Sequence, residues 1–209
     1  LISNLATAYQ QAGDYEKAIT LLVKAITIYK DKFGEAHPEY ALSLRNLAAI
    51  YEDAHLYANA EKLYLNAAGI YQKALGDHHP EYAVTLNNLG NLYYQQAQFA
   101  RAREFYLRAK EINQKAFGVN HLFYASGLLN TGLSYLGEKQ YREAEPFLLA
   151  YQEVEKQNLK NTFTFLSENE KGKYIARNFS LLNLVHSCQV YPVSAAMRKE
   201  GLNFQLFSK

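Results

Sequence analysis

A 42-residue period runs through most of the chain and constrains its fold more than any other feature of the sequence. The amide-bearing position of this period is occupied each time by asparagine, at Asn4, Asn46, Asn88 and Asn130. One aromatic position recurs as Tyr9, Tyr51, Tyr93 and Tyr135, and one small position as Ala18, Ala60, Ala102 and Ala144. Several positions that keep one register through four copies indicate a chain of stacked structural units.

Within one unit the apolar residues have the spacing of two amphipathic helices. The first helix is marked by Leu44, Leu47, Ala48 and Tyr51, and the second by Ala60, Leu63, Tyr64, Ala67, Ile70 and Tyr71. Small residues allow two helices to approach closely, and aromatic residues fill the space beside them. The sequence therefore predicts an all-α fold of about four antiparallel helix hairpins.

The turns between units also repeat. Gly34, Gly76 and Gly118 are each expected to end a second helix in a left-handed conformation. His37-Pro38 and His79-Pro80 then open the next unit, since proline is tolerated at the first helical position. His37, His79 and His121 would lie about 10 Å apart in stacked units, too far for one zinc ion with ligands at ~2.1 Å. We therefore interpret these histidines as turn residues and predict no metal site.

Three motifs resemble the tetratricopeptide repeat in its 42-residue form, which is familiar from kinesin light chains and many bacterial proteins. They are N-L-A-x-x-Y (Asn46 to Tyr51), Y-x-x-A (Tyr57 to Ala60) and G-x-x-H-P (Gly76 to Pro80). The resemblance implies a right-handed superhelical solenoid over residues 1–158, with repeats at about 1–37, 38–79, 80–121 and 122–158. Two further helices are expected in the C-terminal extension, residues 159–209.

The period stops after residue 158. Asn161 to Phe165 is expected to be a short link, and Ser167 with Glu170 forms a capping box that opens a helix to about Gln189. A last helix is expected over residues 193–208. The string Phe165-Leu166-Ser167-Glu168, followed by Glu170-Lys171, resembles the segment that joins tetratricopeptide repeats to a caspase-like protease domain in bacterial CHAT proteins. That resemblance implies a protease domain downstream, in cis.

The repeated asparagines are the candidate binding site. In this repeat family the first helix of each unit lines a concave groove, and an amide offers both a donor and an acceptor to a peptide backbone. Units about 10 Å apart match about three extended ligand residues. The face is completed by polar and aromatic groups to which we assign no core role, so the candidate peptide-binding residues are Asn4, Arg45, Asn46, Asn87, Asn88, Asn91, Tyr94 and Asn130. The alternative is that the asparagines bridge neighbouring helices as a structural ladder.

No catalytic constellation is expected within this chain. His186 and Cys188 lie two positions apart on a predicted helix, so their side chains point in different directions. The acid pair Glu52-Asp53 is interpreted as solvated. There is no glycine-rich phosphate loop, and no cofactor is predicted.

Composition narrows the function classes. The net charge of +2 gives no general attraction to nucleic acid, and no apolar run is long enough for a membrane span. One cysteine excludes an internal disulfide and fits a cytoplasmic location. The leading hypothesis is a protein- or peptide-binding scaffold that serves as the regulatory or substrate-recruiting part of a bacterial CHAT protease. The alternative is a stand-alone adaptor of kinesin-light-chain type that links a cargo peptide to a larger complex.

Overall fold

The computed structural model describes residues 2–163, and this part of the chain is all-α. It contains eight helices: α1 (Ile2–Gln11), α2 (Tyr15–Phe33), α3 (Pro38–Asp53), α4 (Tyr57–Leu75), α5 (Pro80–Gln95), α6 (Phe99–Phe117), α7 (Leu122–Gly137) and α8 (Tyr141–Phe163). The helices pair as four hairpins, and the predicted all-α repeat fold is confirmed.

The helix boundaries follow the sequence period. The first helices α3, α5 and α7 have 16 residues each, and the second helices α2, α4 and α6 have 19 each. Each begins 42 residues after its predecessor because the capping and turn residues recur at that interval. The chain divides into two compact units, residues 1–116 and the residues from 117 onward, and each is described by itself.

The core of the first unit lies between consecutive hairpins. Leu47 and Ile50 of α3 pack with Ala18 and Leu22 of α2 in one cluster. The next cluster joins α3, α4, α5 and α6 through small residues and tyrosines that are less than a tenth exposed. The tyrosines and small residues of the period therefore have the packing role that their pattern indicates.

In the second unit, α7 and α8 pack antiparallel. Leu136, near the end of α7, packs on Ala144 and Leu148 near the start of α8. Ala125, near the start of α7, shares a cluster with Val154, further along α8. Pro146 lies in the first turns of α8, and the helix continues through it, as expected for an early position.

The capping histidines serve the turns, as interpreted. The Nδ1 atoms of His37, His79 and His121 accept hydrogen bonds from backbone N–H groups two residues ahead, at 3.1, 3.2 and 3.1 Å. Each satisfies a backbone donor that the first helical turn leaves free. The same three residues therefore start three first helices.

The closing glycines differ from the expectation in one respect. Gly34 and Gly76 have positive φ, as predicted, but their ψ angles of 164° and 166° are extended rather than left-handed helical. This region of backbone space is almost exclusive to glycine, so the requirement for glycine is stricter than the sequence indicates. The extended ψ turns the chain away from the helix axis and toward the next histidine cap.

The last described helix extends into the segment that was predicted to be a link. Asn161 was assigned to a link, but α8 continues through Phe163 as a 23-residue helix. Its extra turn is possible because residues 158–163 contain neither glycine nor proline. The predictions for the rest of the extension, including the helices over 167–189 and 193–208 and the pair His186 and Cys188, lie outside the described residues.

Candidate peptide-binding face

Asn46 and Asn88 occupy equivalent positions on α3 and α5 of the first unit. Both side chains are half-buried, and neither amide makes a hydrogen bond within residues 2–163. Leu47 and Leu89, one residue further along, are at most 4% exposed and carry the packing at this level of the helix. Among the described residues, neither asparagine therefore bridges neighbouring helices through a hydrogen bond, as the structural-ladder interpretation would require.

The other repeated or neighbouring asparagines of the predicted face give less evidence about ligand binding. Asn4 lies on α1, whose first side chains are outside the description. Asn87 on α5 and Asn130 on α7 are half-buried and already engaged in interactions of their own. Asn130 belongs to the second unit, so only Asn46 and Asn88 form a described pair.

Arg45, next to Asn46, holds two consecutive first helices together. Its Nη1 donates to Glu81 Oε2 at 2.6 Å and approaches the Glu81 carbonyl oxygen at 3.4 Å. Its guanidinium carbon lies 5.4 Å from the centroid of the Tyr71 ring. The premise that Arg45 has no core role is wrong, because its charge is neutralised by a residue of the following repeat.

Asn91 and Tyr94 of α5 also have packing roles, contrary to the premise for their selection. Asn91 Oδ1 accepts a hydrogen bond from the hydroxyl of the buried Tyr106 at 2.9 Å. The Tyr94 ring packs edge-on against Phe99 with centroids 5.2 Å apart. Sequence reasoning missed these roles because the partners lie on the second helix of the hairpin. The 42-residue period does not indicate which residues of the two helices come into contact.

Glu52 was predicted to be solvated, but the structure places it among the buried residues. It is 8% exposed, and its two carboxylate oxygens accept hydrogen bonds from Tyr64 Oη at 2.8 Å and from Gln95 Nε2 at 2.7 Å. Burial raises the pKa of Glu52, and the Tyr64 hydrogen bond opposes that rise. Asp53 was read correctly as exposed, although it accepts a hydrogen bond from Gln10 at 2.6 Å.

These two contacts are one repeated inter-repeat link that sequence reasoning did not find. Gln10 and Glu52 are equivalent positions, and so are Asp53 and Gln95, which pair with them from the following repeat. The link recurs at the end of consecutive first helices while its chemistry changes from copy to copy. A search for identical residues at 42-residue steps cannot detect it, whereas a search for complementary pairs 43 apart could.

Among residues 2–163, no three histidine, cysteine or acidic side chains come together as a metal site would require. None of the helices described is long and apolar enough to cross a membrane. The amides of Asn46 and Asn88 have no hydrogen bond among these residues, and the Arg45–Glu81 ion pair lies beside Asn46 in the sequence.

Comparison with known families gives the class of protein. The model of a tetratricopeptide-repeat family matches residues 1–58 and 41–115, which together span more than half of the chain. The chain therefore belongs to the tetratricopeptide-repeat family. No curated protein matches it.

Solved structures confirm the fold. BtubC (BKLC) from P. vanneervenii superposes with a TM-score of 0.68 at 24% identity, over 79% of this chain and 64% of that one. Repeats assigned to a kinesin light chain of Podosopora anserina give a TM-score of 0.66 at 20% identity, over 100% and 95%. The apo form of RapI gives 0.66 at 14% identity, over 97% and 81%. The chain thus spans less than two thirds of BtubC, and these likenesses show the fold alone.

Proposed function

We propose that this chain is a non-catalytic scaffold that binds a protein or an extended peptide through the amides of Asn46 and Asn88. One observation carries the proposal: two equivalent, half-buried amides on consecutive first helices have no hydrogen-bond partner among the described residues. Tetratricopeptide repeats are typical scaffolds of protein–protein interaction. The packing of α3 and α5 leaves these two amides without a hydrogen-bond partner among the described residues.

An amide pair suits an extended peptide backbone. Each side chain can donate to a backbone carbonyl and accept from a backbone N–H, so recognition does not depend on the ligand's side chains. First helices stacked about 10 Å apart would contact every third residue of an extended ligand, which advances ~3.4 Å per residue. Asn4 and Asn87 extend the same proposed face along α1 and α5, and Asn130 is proposed for the equivalent position on α7 of the second unit.

The electrostatics favour a ligand without a strong charge at this point. Arg45 is neutralised by Glu81, and its side chain is only 13% exposed. Glu52 is buried between neutral donors, and burial keeps its pKa above the usual value. In this proposal Arg45, Asn91 and Tyr94 shape the walls of the site and hold the helices that carry the two asparagines.

For the wider role we propose the regulatory or substrate-recruiting part of a bacterial, cytoplasmic CHAT protease, with the protease domain in cis. This rests on the segment from Phe165 to Lys171. The alternative is a stand-alone adaptor, favoured by the fold shared with BtubC (BKLC) and with the kinesin-light-chain repeats. A caspase-like domain with its histidine and cysteine, encoded after Lys209 in the natural gene, would support the first role. Its absence there would leave the adaptor.

The binding proposal is tested with peptides selected on the wild-type chain from a random library, followed by fluorescence anisotropy. We expect Asn46→Ala combined with Asn88→Ala to weaken binding about tenfold to a hundredfold, since each lost hydrogen bond contributes about 1 kcal/mol. The melting temperature should change little, because neither amide supports the fold.

The matched control is Asn59→Ala combined with Asn66→Ala, two exposed asparagines on the second helix α4. This variant should bind as tightly as the wild type. Equal affinity of the Asn46/Asn88 variant and the wild type would refute the site. A large fall in its melting temperature would instead restore the structural ladder.

A further inference from the structure

A second pair of equivalent residues lies one helical turn before the two asparagines of the candidate site. Leu42 precedes Asn46 by four residues on α3, and Val84 precedes Asn88 by four residues on α5, so each pair shares one helix face. Both apolar side chains are half-buried. Neither belongs to the core clusters of the first unit or to the partly buried residues packed against them. Their apolar surface is therefore part of the face that carries the amides.

An acid lies a further turn earlier on the same face of each helix. Glu39 precedes Leu42 by three residues, and Glu81 precedes Val84 by three. Glu81 is paired with Arg45. Glu39 is exposed, and its carboxylate makes no hydrogen bond or ion pair among residues 2–163. The face therefore carries an unpaired negative charge beside Leu42 and a neutralised one beside Val84.

The spacing of these rows selects the conformation of the ligand. The apolar and amide rows repeat once per first helix, at about 10 Å. In a β-strand the side chains return to one face every two residues, or about 7 Å. In a polyproline II helix they return every three residues, or about 9 Å, and the backbone makes no internal hydrogen bonds. The polyproline II repeat thus matches both helices and leaves backbone groups available to Asn46 and Asn88.

We propose that the ligand of this face is a peptide in the polyproline II conformation, with a lysine or arginine over α3 and an apolar residue over α5, three positions apart. This inference rests on the proposed binding role of Asn46 and Asn88. The methylene groups of the basic side chain cover Leu42, and its charge pairs with Glu39. Val84 takes an apolar side chain, because the acid beside it is already neutralised.

The spacing is tested with fluorescent peptides built on a proline frame, which holds the polyproline II conformation. Two peptides carry lysine and leucine three positions apart, one in each chain direction, and a third carries them two positions apart. Affinities are measured by fluorescence anisotropy. We expect one of the first two peptides to bind at least about tenfold more tightly than the third, because only the three-residue spacing brings both side chains to one face.

Two variants separate the apolar contact from the ion pair. Leu42→Ser with Val84→Ser introduces the residue that α7 has at the equivalent position, Ser126. We expect this variant to bind the tighter lysine peptide at least about tenfold more weakly. Glu39→Gln should weaken binding of the same peptide about twofold to fivefold, since it removes one exposed ion pair. It should have no effect on a peptide in which norleucine replaces the lysine.

The matched control is Leu65→Ser, which changes a leucine of the second helix α4 that is 47% exposed. This variant should bind the lysine peptide as tightly as the wild type. If the double serine variant melts at a lower temperature than the wild type, the decision passes to Glu39→Gln. Its position is exposed, and the lysine and norleucine peptides report on the ion pair alone.

Two outcomes would overturn this inference while the proposed function stands. In the first, peptides selected from a random library depend on Asn46 and Asn88 but bind the double serine variant as tightly as the wild type. In the second, the two-residue and three-residue spacings bind equally, or neither binds. Library peptides whose affinity does not depend on Asn46 and Asn88 would instead refute the proposed site, and this inference with it.

Discussion

Arg45 of α3 and Glu81 of α5 form an ion pair at 2.6 Å that joins two consecutive repeats. The guanidinium also lies over the Tyr71 ring. Replacing it removes both contacts and leaves Glu81 without its counter-charge. We expect Arg45→Ala to lower the free energy of unfolding by about 1–3 kcal/mol, measured by urea denaturation.

Arg108 is the matched control for this prediction. It also lies over a tyrosine ring, 5.1 Å from the Tyr82 centroid, but it is exposed. Arg108→Ala should cost no more than about 1 kcal/mol, the range of exposed cation–π contacts. Equal losses for the two variants would show that the inter-repeat ion pair adds nothing to stability.

The buried carboxyl of Glu52 predicts a dependence of stability on pH. Burial raises its pKa in the folded chain above the ordinary 4.5, so the folded state binds the proton more tightly than the unfolded state. The stabilisation that protonated Glu52 contributes is therefore complete below the pKa of the carboxyl in the unfolded chain. It is lost as the pH rises through the pKa of the carboxyl in the folded chain. Burial likewise raises the pKa of Tyr64, whose hydroxyl therefore remains a donor over this range.

Glu52→Gln should remove this dependence. A glutamine oxygen still accepts from Tyr64, and the Gln95 amide can rotate to meet the new amide. We expect the difference in melting temperature, variant minus wild type, to grow from pH 4.5 upward and then to level off. A difference that is constant with pH would contradict the assignment.

The position of Gly90 on α5 has no room for a side chain, because the Tyr106 ring of α6 packs against it. A Cβ atom at this position would lie 2.6 Å from Cδ1 of Tyr106, and that ring is held by its hydrogen bond to Asn91. We expect Gly90→Ala to destabilise the chain by about 1–3 kcal/mol through overpacking.

Gly69 on α4 provides the opposite case. Nothing lies within 4 Å of a Cβ built there. Gly69→Ala should therefore stabilise the chain by about 0.5–1 kcal/mol, because alanine is the better helix former. Denaturation curves of the two variants should shift in opposite directions, and shifts in the same direction would refute the role of Tyr106.

The sequence predicted the structural features whose residues are the same in every repeat, and it did not predict the contacts whose residues differ between repeats. Asn46 and Leu47 recur with their spacing, so helix type, register and small-to-aromatic packing could all be predicted. The link between Glu52 and Gln95 changes its residues in every copy, so it has no repeated signal. The role of Asn91 depends on the tyrosine at 106, which is leucine in the first and last copies.

The turn between the two helices of each hairpin has a conserved backbone conformation among the four copies, although its residues differ, so the sequence repeat does not reveal it. Gly13, His55, Ala97 and Lys139 are equivalent positions, and all four have positive φ, between 58° and 77°. Only the first is a glycine, and a residue with a Cβ in this region costs about 1–2 kcal/mol. We expect Ala97→Gly to raise the free energy of unfolding by about 0.5–1 kcal/mol, after the entropic cost of glycine. The reverse change, Gly13→Ala, should lower it, and the pair is measured by thermal denaturation.

Asn88 and Asn91 lie one helical turn apart on α5 and should respond oppositely to the same substitution. Asn91→Ala leaves the hydroxyl of Tyr106, a side chain 2% exposed, without its acceptor, and should cost about 1–3 kcal/mol of stability. Asn88→Ala removes no hydrogen bond of the described structure, so its cost should stay within about 0.5 kcal/mol, while peptide binding falls. In the background Tyr106→Phe, Asn91→Ala should cost less than about 1 kcal/mol, because no hydroxyl remains to be satisfied. An unchanged cost in that background would mean that Asn91 acts through something other than Tyr106, and would return it to the candidate binding residues.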